Sequence, residues 1–227
     1  YTKMLDYSGD NRYASYPAEL WICNRDLSDH EKVFALSGCE NHNFSNNIWI
    51  DNHTIGLIDD AAKKVYLIDI NTKSVKYGPF SATSIGHNVV NNTLLIYGSP
   101  GAERGIYAID CLTGDLSCII THADLGAIYD SRLEGRSASG WSIQHLQLSE
   151  DGNRAAIKIS TGDTEKNKYL VSFHIDNFDH VVFGPKPMHF FWYDDSTLAG
   201  HDNQVADGHT NNFELRRWNR EGKCIET

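Results

Sequence analysis

A repeat of short β-rich runs separated by polar turns constrains this chain more than any other feature. One unit reads NNIWIDNHTIGLIDDAAKKVYLIDINTKSVKYGPF, with four such runs, and similar units follow along the sequence. Four-stranded units at a spacing of ~40–45 residues are typical of the blades of a β-propeller. The sequence therefore predicts an all-β propeller. A two-sheet sandwich is the alternative, but it would not repeat so regularly.

The units predict four whole blades and one partial blade. We place the whole blades at about 42–80, 85–121, 142–184 and 187–227, and a half blade, matching only the last two strands of a unit, at about 18–37. The hairpins LIDINTKSV, AIDCLTGDL and RWNREGKCI should join third and fourth strands, because their Asn, Asp and Gly residues favour tight turns. This count leaves two alternatives, a small closed ring or part of a larger one. We favour part of a larger ring that a second chain or a missing segment closes.

Composition limits the classes of partner. The 227 residues carry a formal net charge of −10, and their Lys and Arg residues are scattered. Duplex nucleic acid is not expected as a partner, because binding it requires neutralising phosphates. No apolar run approaches the ~18 residues that span a bilayer, so no membrane partner is expected. The five cysteines include no CxxC pair; Cys111 and Cys118 either pair across a hairpin or are small buried apolar residues.

Histidines recur in one register of the repeat. His87, His145 and His189 each stand four or five residues before the first turn of their blade, and His42 lies a few residues upstream of the corresponding point. We therefore expect them to head the innermost strands, which line the central channel of a propeller. Imidazoles from consecutive blades would then converge on one end of a water-accessible funnel.

Two chemistries use such a cluster. Neutral imidazoles bind divalent transition metals, and an imidazole with an unperturbed pKa near ~6.5 is suited to proton transfer around neutrality. The simpler alternative is that polar residues at the strand starts hydrogen-bond the backbone of the next blade.

Other polar residues could complete a site. The long connection 122–141 carries Tyr129, Arg132 and Arg136. Arginine pairs with carboxylates and tyrosine can donate a proton, although a solvated turn with a short helix would also explain this segment. Asn43 and Asn88 directly follow histidines, and a further histidine, His201, occurs in GHDNQ.

The chain resembles TolB-like seven-bladed propellers, and particularly oligogalacturonate lyase and related uronate-cleaving polysaccharide lyases. The segments that carry the resemblance are NHNFSNNIWIDNHTI, IYAIDCLTGDL, HLQLSEDGNRAAI and HFFWYDDSTLAGHD. The resemblance implies a seven-bladed ring, of which this chain would supply the larger part. It also implies β-elimination at a uronic acid residue of an acidic oligosaccharide or polysaccharide. We expect an extracellular or periplasmic location.

The resemblance also implies roles for the candidate residues. His42, His87 and Tyr129 are expected to transfer protons, and Asn43, Asn88, Arg132 and Arg136 to bind the uronate carboxylate. His145, His189 and His201 are expected either to hold a divalent metal (Mn, Ca or Zn) or to contact the substrate. The alternatives are a non-catalytic propeller that binds a glycan or a protein, and a metal-dependent hydrolase.

Overall fold

The computed structural model describes residues 1–5, 14–40, 47–129, 140–161, 168–185, 187–206 and 209–226; for 168, 184–185, 187–188, 201–206, 209–214 and 226 only the backbone is described. Antiparallel β-sheets dominate this part of the chain. Its α-helix, α1 (His122–Tyr129), lies between the second and third whole blades. No helix in these ranges is long and apolar enough to cross a membrane.

The first sheet has three strands in the order β1–β2–β3. They are β1 (Thr2–Met4), β2 (Ser15–Ile22) and β3 (Glu31–Glu40). The prediction of a half blade with two strands is therefore wrong by one strand. The extra strand is only three residues long, too short to show an alternating pattern of apolar residues.

Blades I and II share one long strand. Blade I contains β4 (Asn47–Trp49), β5 (Thr54–Asp59), β6 (Lys64–Asp69) and the first half of β7 (Ser74–Val90). Blade II contains the second half of β7, β8 (Thr93–Gly98), β9 (Gly105–Asp110) and β10 (Leu116–Thr121). Residues 74–81 of β7 pair with β6, and residues 82–90 pair with β8. The chain therefore passes from the outer strand of one blade to the inner strand of the next without a loop.

Blades III and IV are separate four-stranded sheets. Blade III contains β11 (Ser142–Leu148), β12 (Arg154–Ser160), β13 (Lys168–His174) and β14 (His180–Pro185). Blade IV contains β15 (Pro187–Asp194), β16 (Thr197–Ala206), β17 (His209–Asn219) and β18 (Cys224–Glu226). The all-β propeller built from four-stranded blades is confirmed.

The hairpin turns form through the residues that predicted them. The Asp69 carboxylate accepts hydrogen bonds from the backbone N–H groups of Asn71 and Thr72. Asp110 repeats this arrangement in the next blade, with Leu112 and Thr113 as donors. Such Asx turns reverse the chain locally. The cysteines beside the second turn are both free, so no disulfide crosses this hairpin.

Apolar side chains between successive sheets hold the blades together. Each of the four buried clusters combines residues of two neighbouring blades, the first sheet counting as a blade; their members include Leu20 with Leu57, Ile58 with Leu94, Leu95 with Ile157, and Phe183 with Phe190. Burying one such side chain contributes roughly 1.5–3 kcal/mol. The stacking of neighbouring sheets places the inner strands side by side around a common axis.

A buried carboxylate adds a polar tie between the first sheet and blade I. Asp59 is 4% exposed and accepts hydrogen bonds from the N–H and hydroxyl of Ser37 and the N–H groups of Gly38 and Ala62. Burial raises the pKa of the Asp59 carboxyl, but these hydrogen bonds outweigh burial and hold the pKa below its usual range. Asp59 is therefore a charged anchor between two sheets.

Candidate functional site

Three histidines from consecutive inner strands contact one another. The ring centroids of His87 in β7 and His145 in β11 are 4.6 Å apart, with an angle of 60° between the ring planes. The centroids of His145 and His189 in β15 are 5.4 Å apart, with an angle of 80°. The structure thus brings together the three imidazoles whose register suggested a common site. We call them the imidazole cluster.

The cluster lies at irregularities of the inner strands. The pairing of β7 with β8 shifts register between Ile85 and Val89, and the pairing of β11 with β12 shifts between Gln144 and Gln147. A third shift adjoins His189. The expectation that the histidines head their strands is wrong, because each lies inside its strand at a bulge. Bulges redirect side chains and are over-represented next to active sites.

Burial differs across the cluster. His87 and His145 are partly buried and His189 is exposed. Burial, followed by the nearby charge of His189, lowers the pKa of His87 to about 4. The aromatic ring of Phe190 lies beside His145, at a centroid distance of 6.3 Å, and is itself buried. His87 is therefore a neutral imidazole at neutral pH, and its lone pair can accept a proton or a hydrogen bond.

Asn88 links two blades. Its side-chain amide donates to the carbonyl oxygen of Leu148 at 2.6 Å, and its carbonyl oxygen accepts from the N–H of Leu148 at 2.8 Å. The amide thus pairs with the backbone of the next inner strand. This is the simpler alternative from the sequence, in which polar residues of the inner strands hydrogen-bond the backbone of the next blade. Carboxylate binding by Asn88 stays a prediction, and it would require this amide to serve two partners.

Tyr129 lies in the protein core and not in the channel. Its side chain is 0% exposed and belongs to the apolar cluster between blades II and III. Its hydroxyl donates to the carbonyl oxygen of Ser172 at 3.3 Å, and its ring packs edge-on against His180. A substrate in the channel cannot reach a fully buried hydroxyl. The assignment of Tyr129 to proton transfer is therefore corrected to a structural role at the end of α1.

Several candidates lie outside the described residues: His42, Asn43, Arg132 and Arg136. For His201 the backbone is described, and it pairs with His189 across β15 and β16. The predicted roles of these five residues stay predictions.

A metal at this site was expected from the family resemblance. Within the described ranges, no group of three His, Cys, Asp or Glu side chains is arranged to hold a metal ion. The imidazole cluster therefore does not form a metal site by itself. Metal binding that involves His145, His189 and His201 stays a prediction.

Gln147 joins blades III and IV, and sequence reasoning missed it. It is 7% exposed, and its amide donates to the carbonyl oxygen of Phe190 at 2.7 Å. Its position two residues after His145, between the buried apolar residues Leu146 and Leu148, was the available signal. A buried amide needs hydrogen-bond partners, so a glutamine at such a position indicates a polar tie.

A separate cavity of about 510 Å³ lies at the turns of blades III and IV. Its lining is mostly charged and includes Asp151, Arg154, Asp179, Asp195 and Arg220. None of the three clustered histidines lines it. The acidic side chains Asp151 and Asp195 accept hydrogen bonds from turn residues, so the carboxylates serve the turns of the blades.

Comparisons with solved structures find other propellers. TolB from Acinetobacter baumannii matches with a TM-score of 0.59 and 12% identity, over 92% of this chain and 49% of that one. A protein assigned as TolB from Agrobacterium tumefaciens matches with a TM-score of 0.51 and 12% identity, over 92% and 68% of the two chains. A prolyl endopeptidase matches with a TM-score of 0.54 and 9% identity, over 92% of this chain and 33% of the enzyme.

The comparisons bear on the fold. No protein-family model matches the chain, and no curated protein matches it significantly. The chain spans about half the length of the A. baumannii TolB. At these identities a likeness shows the fold alone. By fold, then, the chain consists of consecutive blades of a β-propeller similar in fold to TolB, with an imidazole cluster on its inner strands.

Proposed function

We propose that this protein is a lyase that cleaves a uronic-acid-containing glycan by β-elimination in the propeller channel. The observation that carries the proposal is the contact of three imidazoles from consecutive inner strands, with centroid distances of 4.6 and 5.4 Å. β-Elimination requires a base and an acid close to one sugar residue, and imidazole can serve as either. The resemblance to uronate lyases supports the same reaction class.

The reaction acts on two adjacent carbons of the uronate, C5, which loses a proton, and C4, which loses the glycosidic oxygen. The base removes the proton at C5 of the uronate, and the electron pair of that C–H bond forms the C4–C5 double bond. The C4–O bond breaks, and the glycosidic oxygen leaves with the bonding pair. An acid protonates this oxygen. The products are an unsaturated uronate and a free hydroxyl group, with no oxidant, reductant or water consumed.

His87 is assigned as the base. Because burial lowers its pKa to about 4, its imidazole stays neutral throughout the mildly acidic and neutral range. A low pKa also makes it a weak base, so neutralisation of the uronate carboxylate must stabilise the developing negative charge. Arg132, Arg136 and Asn43 are proposed for that task, in line with their chemistry.

His189 is assigned as the acid. It is the exposed member of the cluster, so it can exchange protons with water between turnovers. His145 contacts both of the other rings and sets the separation between base and acid. A polymeric acidic substrate is consistent with an extracellular or periplasmic location, which we propose as well.

Ultraviolet absorbance tests the proposal directly. The double bond formed next to the carboxylate absorbs in the ultraviolet, so polymers of galacturonate, glucuronate and mannuronate can be screened for new absorbance. His87→Gln should lower kcat by roughly 10²–10⁴-fold, the usual contribution of general acid–base catalysis. His53→Gln changes an exposed turn histidine of blade I and should behave like the unchanged protein.

Other outcomes separate the alternatives. Binding of an acidic glycan in calorimetry without new absorbance for any polymer would favour the non-catalytic propeller. New reducing ends without absorbance would indicate a hydrolase. Loss of turnover on chelation would contradict the His-only proton transfer described above.

A further inference from the structure

The inner strands of neighbouring blades are not joined by backbone ladders where the imidazole cluster forms. β11 and β15 belong to different sheets, and β7 belongs to a third. Backbone pairing therefore fixes each histidine within its own blade but not relative to the next blade. Apolar packing between blades tolerates small sliding better than directional hydrogen bonds do. Some other interaction between the blades must therefore fix the distances between the three rings.

Two side-chain amides cross the gaps beside the cluster. Asn88, the residue after His87, makes two hydrogen bonds with Leu148, at 2.6 and 2.8 Å. This two-point contact resembles a pair in a β-ladder and fixes both the distance and the offset between β7 and β11. Ser84 adds a third bond between the same strands, from its hydroxyl to the carbonyl oxygen of Ile143 at 2.6 Å.

The second amide continues the connection. Gln147 donates to the carbonyl oxygen of Phe190 at 2.7 Å, and Phe190 is the residue after His189. Gln147 is buried, so the bond is shielded from competing water. A buried amide that loses its partner is destabilising, which favours the strand offset that keeps the bond. The amides thus form a chain from His87 to His189 through β11.

We propose that Asn88 and Gln147 are positioning residues that set the offsets between adjacent inner strands and thereby hold the three imidazoles in contact. The predicted effect of these residues on turnover rests on the proposed function. Their predicted effect on the geometry of the three rings does not. A displacement of about 1 Å in a catalytic group can lower turnover by roughly 10²-fold. Both amides bond backbone atoms of the neighbouring inner strand, Leu148 for Asn88 and Phe190 for Gln147.

The test replaces each amide by an apolar side chain of similar size, in Asn88→Leu and Gln147→Leu. The matched control is Asn47→Leu, because the Asn47 amide also leaves an inner strand and bonds the Thr2 hydroxyl at 3.0 Å, but does so in blade I. Two readouts are needed: imidazole-to-imidazole NOE contacts within the cluster, and kcat and KM on the uronate polymer that is cleaved.

The expected result is loss of the His87–His145 contact in Asn88→Leu and of the His145–His189 contact in Gln147→Leu. We expect kcat to fall by roughly 10–100-fold with KM little changed. The Asn47→Leu control should keep both contacts and full turnover. Asn88→Asp retains an acceptor for the Leu148 N–H and should restore part of the contact and part of kcat.

Unchanged ring contacts in both leucine variants would overturn the proposal, whatever happens to activity. If Asn88→Leu does not fold, Asn88→Asp decides: ring contacts identical to those of the unchanged protein would argue against positioning. If no polymer is cleaved but the ring contacts are lost as expected, the proposed function fails and the positioning role stands.

Discussion

Replacing His87 by glutamine should make the stability of the protein less dependent on pH. In the folded protein, burial and the neighbouring His189 lower the pKa of His87 from 6.5 to about 4. The folded state therefore resists protonation of this ring, whereas the unfolded chain accepts the proton at its ordinary pKa. Between these two values the unfolded state binds more protons, so the free energy of unfolding falls as the pH falls.

The size of the effect follows from the difference between the two pKa values. Each pH unit inside the window changes the free energy of unfolding by up to ~1.4 kcal/mol, so the full window gives about 3 kcal/mol. The stabilising contribution is complete above the unfolded pKa of 6.5 and is lost as the pH falls towards 4. Glutamine keeps a polar side chain of similar size but does not titrate.

Urea unfolding of both proteins near pH ~7 and near pH ~4.5 measures this difference. Carboxylates that titrate elsewhere contribute equally to both proteins and cancel in the comparison. His53→Gln, an exposed turn substitution, controls for the loss of any histidine. If the stability difference between the unchanged protein and His87→Gln is the same at both pH values, the argument that His87 is held neutral by its surroundings is refuted.

Three further substitutions test the fold and one corrected role. Asp59→Asn replaces one acceptor oxygen by an amide group among N–H donors and should cost about 2 kcal/mol in urea unfolding, because roughly two hydrogen bonds are lost; no loss would contradict its anchoring role. Gly114→Ala should cost about 1–2 kcal/mol, because Gly114 has φ +79° and a Cβ there would lie 2.4 Å from the ring of Tyr77; Gly140→Ala, with open space around it, is the neutral control. Tyr129→Phe removes one buried hydrogen bond and should change stability by about 1 kcal/mol and leave kcat unaltered; a kcat loss above roughly 10²-fold would restore its catalytic assignment.

The hairpins and blades were predictable because their signals are local. Asp69 and Asp110 bond backbone groups only two and three residues ahead, so their turn chemistry is visible in a short window of sequence. The three-residue strand β1 was missed for the opposite reason. It is a strand only because it pairs with β2, in which Leu20 lies opposite Thr2. A strand this short has no pattern of its own.

The imidazole cluster was partly predictable. The common spacing of His87, His145 and His189 from their first turns indicated that they share a position in successive blades, and the structure brings their rings into contact. Their bulges were not predictable, because a bulge is a mismatch between two strands. The sequence alone could not show that Asn88 bonds the next blade or that Tyr129 is fully buried, since both facts depend on residues more than forty positions away.

The amino-acid order by itself determined the repeat, the hairpin turns and the recurrence of histidine in the inner strands, because turn chemistry and apolar alternation act over a few neighbouring residues. Only the tertiary structure decided which imidazoles contact one another and which polar side chains join blades. That choice depends on how neighbouring sheets stack. The partner of Asn88 is Leu148 in another sheet, and such a contact exists only once blades II and III have packed together.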